Sequence, residues 1–158
     1  MPSKDIPALK QRLNTYAQSV LKPEDLLPEL NIDAEIPLSS VTPELLNSLG
    51  LLEPFGHGNR EPVFSSSGVS LLMPPRILKE KHIKLRVNQK LPNAKTSFNY
   101  EAMGWRMAER AQEAGLQHGD NLDVAYKIGL NFHPDFGGLE LTLEDFRRSV
   151  PAAISVCG

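Results

Sequence analysis

In HIKLRVNQ, His82 to Gln89, Ile83, Leu85 and Val87 alternate without a break with His82, Lys84, Arg86 and Asn88. Side chains of a strand point to opposite faces in turn, so this segment predicts a β-strand with its apolar face on a core and its basic face turned outward. Upstream, Pro62 to Leu72 reads as a first strand, with Val63, Val69 and Leu71 among serines, and MPPRILKEK (Met73–Lys81) as a turn region rich in Pro and Lys. Downstream, LPNAK (Leu91–Lys95) is a loop and TSFNYEAM (Thr96–Met103) a third strand. Gly104 then precedes WRMAERAQEAGLQHGD, where Met107, Ala108, Ala111 and Leu116 suit an amphipathic helix and Gly115 suits its end. LDVAYKIGLNF (Leu122–Phe132) makes a fourth strand with Leu122, Val124, Tyr126 and Ile128 alternating; PDFGG turns it and LELTLEDF (Leu139–Phe146) returns as a fifth.

Three strands, a helix and two more strands is the order of elements in the OB-fold, a partly open five-stranded barrel. The fold expected is therefore mainly β with helices (α+β): a five-stranded OB-like barrel with an N-terminal helical extension. In such barrels single-stranded nucleic acid is received by the exposed face of the second and third strands, with the loops joining first to second and fourth to fifth. Charge falls in the same place. Residues 76–100 carry Arg76, Lys79, Lys81, Lys84, Arg86, Lys90 and Lys95 against Glu80 alone, whereas the flanking regions are acidic and the whole chain has a formal charge of −2. A local basic face is enough to attract a phosphate backbone whatever the overall balance.

Ahead of the barrel, Pro7 to Leu21 places Leu9, Leu13, Tyr16, Ala17 and Val20 on one helical face, with Pro7 in the first turn. Leu30, Ile32, Ala34 and Ile36 alternate with polar residues and predict a brief strand. Thr42 is an N-cap for TPELLNSLGLLEP, whose Leu45, Leu46, Leu49 and Leu52 share a face. That helix runs into LEPFGHGNREPVF, Leu52 to Phe64, a loop with one shape: two X-Pro steps, Gly56 and Gly58 free to adopt positive φ, Phe55 and Phe64 as buried anchors, and His57, Asn59 and Arg60 as exposed polar tips. One reading of it is an ordered connection whose aromatic residues plug a core; the other is a site meeting a ligand, a phosphate or another domain.

The 158 residues suit one domain with an appended element. No stretch has the roughly 18 apolar residues of a membrane span, and the N-terminus lacks the apolar core of a secretion signal, so a cytoplasmic protein without membrane contact is expected. Cys157 is the sole cysteine, which leaves no internal disulfide and no thiolate metal site. His57, His82, His118 and His133 are scattered, without the Asp/His spacing of a metal cluster, and Asp120, Asp123, Glu144 and Asp145 have no evident acid/base pairing. No catalytic and no metal-binding residue is expected, and no cofactor in this chain.

LEPFGHGNREPVF resembles the LEPFGxGNxEPxF signature of RecJ-type single-stranded-DNA exonucleases, which is preceded in that family by an IDAEIPL-like strand and a short Leu-rich helix, as here. HIKLRV, the strand ending near Gly104, HGDNLDVAYKI and LELTLEDFR also resemble that family's OB domain. The sequence departs at Arg60, where the signature has Pro, and in a longer fourth-to-fifth hairpin. By the same resemblance, residues 1–24 are the closing helix of a DHH-associated domain or linker, 25–150 the OB-like nucleic-acid-binding domain and 151–158 a tail. RecJ enzymes cut DNA with Asp and His ligands holding Mn²⁺ or Mg²⁺; no Asp-His-His tripeptide occurs here. The resemblance implies an accessory part that binds single-stranded DNA for a catalytic domain on other residues and is inactive alone.

The candidate nucleic-acid contacts are Arg76, Lys79, Lys81, His82, Lys84, Arg86, Tyr100, Trp105 and Arg106. For Phe98 and Tyr100, base stacking competes with core packing, and packing is favoured; for Trp105, stacking competes with capping the barrel. Phe55, Gly56, His57, Gly58, Asn59 and Arg60 are assigned to an elbow that fixes the barrel against the catalytic domain. The rival reading is an interaction module that docks on that domain or on a single-strand-binding protein.

Overall fold

In the structure, a computed structural model, residues 5–22, 29–90, 96–131 and 137–150 are described. The loop expected at 91–95 with Lys95, the hairpin tip at 132–136 with His133, and the 151–158 tail with Cys157 lie outside them. The chain divides into two compact units, Met1–Asn31 and Ile32–Gly158. The first contains α1 (Ile6–Val20), which carries Pro7 in its first turn and has no buried residue. The second contains β1 (Ala34–Glu35), a 3₁₀ turn (Leu38–Ser40), α2 (Pro43–Gly50), β2 (Phe64–Leu71), β3 (Arg76–Leu78), β4 (His82–Lys90), β5 (Ser97–Gly104), α3 (Ala108–Glu113), β6 (Asn121–Asn131) and β7 (Gly138–Arg148). No helix among the described residues is long and apolar enough to cross a membrane.

Five strands close a ring. β2 pairs antiparallel with β6, β6 with β7, β7 in parallel with β5, β5 antiparallel with β4, and β4 returns to β2 through Ser70 opposite Asn88 and Leu71 opposite Val87. β2 therefore serves two neighbours, and it manages this by bending. Its register against β6 shifts between Ser66 and Val69, and at that bulge Gly68 has φ +64°, with its N–H donated to Asp123 Oδ1 at 3.1 Å. A bulge adds twist and a kink, and glycine takes the left-handed conformation without the Cβ penalty of other residues. β1 occupies the other edge of β2, parallel to Phe64 and Ser65, with Asp33 and Ile36 continuing the backbone bonds.

The barrel is filled by Val69, Leu71, Ile83, Leu85, Val87, Leu122, Val124, Tyr126, Ile128, Leu141, Leu143 and Phe146. At the β3–β4 turn end α3 adds Ala108 and Ala111, with Ala108 N–H donated to Lys81 O, and Gly115 ends the helix at φ +57°. Gly104 permits this close approach, since a Cβ there would lie 2.7 Å from Ile83 Cγ1 and 3.0 Å from Met107 Sδ. Near the opposite end of β4 and β5, Leu38 and Val41 are fully buried; Leu38 N–H donates to Gln89 Oε1 at 2.7 Å, and the Tyr100 hydroxyl donates to Val41 O. One polar pair sits inside: Ser66 Oγ bonds Tyr126 Oη at 2.8 Å and Ile36 O at 2.7 Å. Buried hydroxyls are costly unless bonded, and these are.

Several local expectations change. Thr42 does cap α2, accepting from Leu45 N–H, but Leu52 falls beyond the helix and is half exposed, because the chain turns at Leu51 and Leu52. Leu30 and Ile32 lie outside the brief strand. Arg76–Leu78, within the stretch read as a turn, forms a hairpin with β4 through Lys79 and Glu80, both at positive φ. Such a turn is normally signalled by Asn-Gly or Asp-Gly, so its residues conceal it. The shape of the Leu52–Phe64 loop does not use glycine freedom either: neither Gly56 nor Gly58 has positive φ. Instead Gly56 and Asn59 exchange backbone bonds, and Asn59 Nδ2 donates to Leu52 O and Pro54 O. Phe64 is buried as expected and Gly56 to Arg60 are exposed, but Phe55 is only partly buried.

Two measurements check this account. Gly68→Ala meets no steric obstacle, so conformational strain alone is expected to lower the unfolding free energy by about 1 to 2 kcal/mol, read as a lower urea midpoint. Burial pushes the Tyr126 hydroxyl up to about 12, against the bond from Ser66, which favours the ionised form. An unfolded tyrosine ionises near 10, so the stabilisation is complete below that pH and is lost as pH rises from about 10 towards 12. Unfolding titrations across that window are expected to show a smaller loss for Tyr126→Phe than for the natural chain.

Candidate nucleic-acid interface

The outward face of β4 is built by the same alternation that fills the core. Across the β4–β5 register Lys84 lies opposite Met103, Arg86 opposite Glu101 and Asn88 opposite Asn99; on the other side Arg76 of β3 lies opposite Lys84. Arg76, Lys84, Arg86 and Glu101, together with Met73 from the β2–β3 connection and Asn131 at the end of β6, line a groove of about 400 Å³. The groove lies over the second and third barrel strands, between Met73 of the first-to-second connection and Asn131, the last residue of the fourth strand.

Its charges are unevenly compensated. Lys84 Nζ is 2.5 Å from Glu101 Oε2 and 3.8 Å from Glu140 Oε1, while Arg86 Nη2 is 3.2 Å from Glu101 Oε1. The Lys84 hydrogen bond holds the Glu101 carboxyl below its ordinary range, with Arg86 adding to the effect against partial desolvation. Glu101 is thus ionised at neutral pH and offsets one of the two positive charges of Lys84 and Arg86, with Glu140 facing Lys84 from further away. Arg76, Lys79, Lys81 and Arg106 form no ion pair among the described residues. Four of the cations without an ion pair thus lie on or beside the β3–β4 hairpin, and Lys90, at the far end of β4, also forms none among the described residues.

The structure brings His82, Trp105 and Arg106 together at the same end. Arg106, at φ +58°, donates its N–H to His82 Nδ1 at 3.0 Å, and Trp105 meets the His82 ring edge-on with centroids 4.8 Å apart. Trp105 is 57% exposed, so it does not cap the barrel and presents ring surface to solvent. Tyr100 is a correction to the candidate set. It lies opposite Val87, on the inward side of β5, is partly buried and bonds Val41 O, so its ring packs and does not join the outward face. The Phe55–Arg60 loop belongs to a different place: Phe55 lines a cavity of about 380 Å³ with Leu46, Leu49 and Ile128.

Glu101, Met73 and Asn131 of the groove, and Glu140 beside Lys84, are residues that sequence reasoning passed over. Glu101 was within reach, since pairing the alternation of HIKLRVNQ with that of TSFNYEAM sets an acid against the basic face. Glu140 and Asn131 depend on how β7 and β6 meet that face, which no local pattern encodes. The acids considered for chemistry are held in ion pairs: Asp120 with Arg148, Asp123 with Arg147, Glu144 with Lys127 and Asp145 with Arg110. Among the described residues no three His, Cys, Asp or Glu side chains come together as a metal site, so they offer no ligand set for Mn²⁺ or Mg²⁺.

Similarity to known proteins follows the same lines. The RecJ OB domain family matches residues 32–145. The single-stranded-DNA-specific exonuclease RecJ of Bacillus subtilis is 24% identical over 132 residues, covering 83% of this chain and 16% of that protein. Crystal structures of Thermus thermophilus RecJ in complex with Mn²⁺ and with Mg²⁺ each align with 95% of this chain, at TM-scores of 0.65 and 0.61 and identities of 24% and 23%, covering 20% and 21% of those chains. The chain thus spans about a fifth or less of the length of these relatives. Because the family match takes in four barrel strands, most of the fifth and most of the sequence, the chain belongs to the RecJ OB-domain family.

Proposed function

We propose that this chain is the single-stranded-DNA-binding OB domain of a RecJ-like 5′–3′ exonuclease of DNA repair and recombination. It grips the strand for a metal-dependent catalytic domain that uses Mn²⁺ or Mg²⁺ and is formed by other residues, in the cytoplasm. The observation that carries this reading is the groove over β4 and β5 lined by Arg76, Lys84 and Arg86, with Arg76, Lys79 and Lys81 of the β3–β4 hairpin forming no ion pair among the described residues. Phosphates supply most of the affinity of such sites, through cations free to replace bound salt ions, and an exposed indole adds a sequence-independent face for stacking a base. Trp105 has that exposure, and Arg106 beside it adds a further unpaired cation.

A second reading is a docking module that positions the catalytic domain or meets a single-strand-binding protein. It is favoured by α1, proposed as the closing helix of a DHH-associated domain, whose Leu9, Leu13, Tyr16 and Val20 are all exposed. The Phe55–Arg60 elbow would serve the same boundary.

Fluorescence anisotropy with a labelled oligothymidylate separates the two. The chain is expected to bind at micromolar affinity or weaker at low salt, with affinity falling steeply as salt rises; no binding at low salt, or salt-independent binding, overturns the DNA-binding proposal. Reversing Lys81, Lys84 and Arg86 to glutamate is expected to abolish that binding, whereas a pure docking module would lose nothing. Incubation of the pure chain with Mn²⁺ and labelled single strands is expected to give no digestion.

A further inference from the structure

Glu101 bridges the two basic side chains at the centre of the outward face of β4. Its two carboxylate oxygens divide between Lys84, at 2.5 Å, and Arg86, at 3.2 Å, in the floor of the groove. A carboxylate forked between an ammonium and a guanidinium presents the same charge and the same acceptor geometry as two oxygens of a phosphodiester. The three side chains are 24%, 49% and 34% exposed for Lys84, Arg86 and Glu101, so the cluster is open to an incoming anion and free to exchange partners. Lys84 has a weaker second partner in Glu140, at 3.8 Å.

Resting on the DNA-binding proposal above, we infer that Glu101 is a built-in competitor of the DNA backbone: it occupies a phosphate subsite made by Lys84 and Arg86 and must be displaced when a single strand enters the groove. In the free protein Glu101, and more weakly Glu140, offset the two positive charges of the subsite, so encounter falls more to Arg76, Lys79 and Lys81 of the hairpin, which form no ion pair among the described residues. Seating a phosphate between Lys84 and Arg86 exchanges one anion for another and releases few salt ions. Binding is thereby held weak and readily reversible, which suits a domain over which a strand must pass.

Two consequences separate this inference from a plain structural role for Glu101. Replacing Glu101 with its neutral isostere should free both cations, so Glu101→Gln is expected to bind an oligothymidylate about three- to tenfold more tightly at low salt. The same change adds about one phosphate contact that releases a salt ion, so the slope of log affinity against log salt should steepen by about 0.7. If Glu101 instead holds Lys84 and Arg86 in place for DNA, Glu101→Gln weakens binding; if it serves the sheet alone, affinity and slope are unchanged. Either result overturns the inference while leaving the DNA-binding proposal intact, whereas failure of the natural chain to bind at low salt overturns both. Carboxyl carbon NMR on the natural chain gives a measurement independent of the variant's folding. Saturating oligothymidylate is expected to raise the pH at which Glu101 titrates, as Lys84 leaves it for phosphate, and an unmoved titration with DNA bound overturns the inference.

Discussion

Closure of the barrel depends on β2 reaching two partners, and β2 reaches them only because the strand bends at Gly68. A straight strand beside β6 would leave Val87 and Asn88 of β4 without their partners in β2, and the ring would stay open. The bend carries Leu71 to Val87 and seals the seam next to the strand that bears Lys84 and Arg86. Twist and closure of a small barrel are linked, so a bulge in one strand sets the tilt of the others. The outward face of β4 is therefore positioned by a glycine well away from it in sequence.

The two ends of the barrel are closed by different means, and the difference bears on function. Near the Lys90 end of β4, Leu38 and Val41 plug the interior and satisfy Gln89 and Tyr100. At the other end α3 packs through small residues, Ala108 and Ala111, over Gly104. That leaves the preceding Trp105 and Arg106 outside the core and against His82, at the edge of the basic hairpin. Small residues in the seal and large polar or aromatic ones beside it give this end a chemically active rim.

Electrostatics in the groove is more restrained than its composition implies. Six net positive charges in residues 76–100 suggest a uniformly basic surface, yet Glu101 and Glu140 reach in from β5 and β7 and neutralise the strand's centre. Ion pairs between partly exposed groups are weak and exchange readily. A surface of that kind is tuned more by which cations stay unpaired than by how many there are. Among the described residues those include Arg76, Lys79, Lys81 and Arg106 around the β3–β4 hairpin, and Lys90 at the far end of β4.

The sequence by itself determined the order of the five barrel strands and α3, because period-two alternation in HIKLRVNQ and LDVAYKIGL records burial one residue at a time. It also determined the Thr42 cap and the Gly115 stop, which are local backbone chemistry, and the LEPFGHGNREPVF resemblance that led to the family. Tertiary structure alone decided the rest. For Tyr100 the sequence favours packing over stacking without deciding between them, and the register, which places it opposite Val87, decides it. The β3 hairpin was hidden by Lys79 and Glu80, residues that do not favour the positive φ they adopt and that only pairing with β4 maintains. The partners of Lys84 and Arg86 come from strands that follow them by some 15 to 56 positions, and charge pairing over such distances is set by how the barrel closes, which no local pattern records.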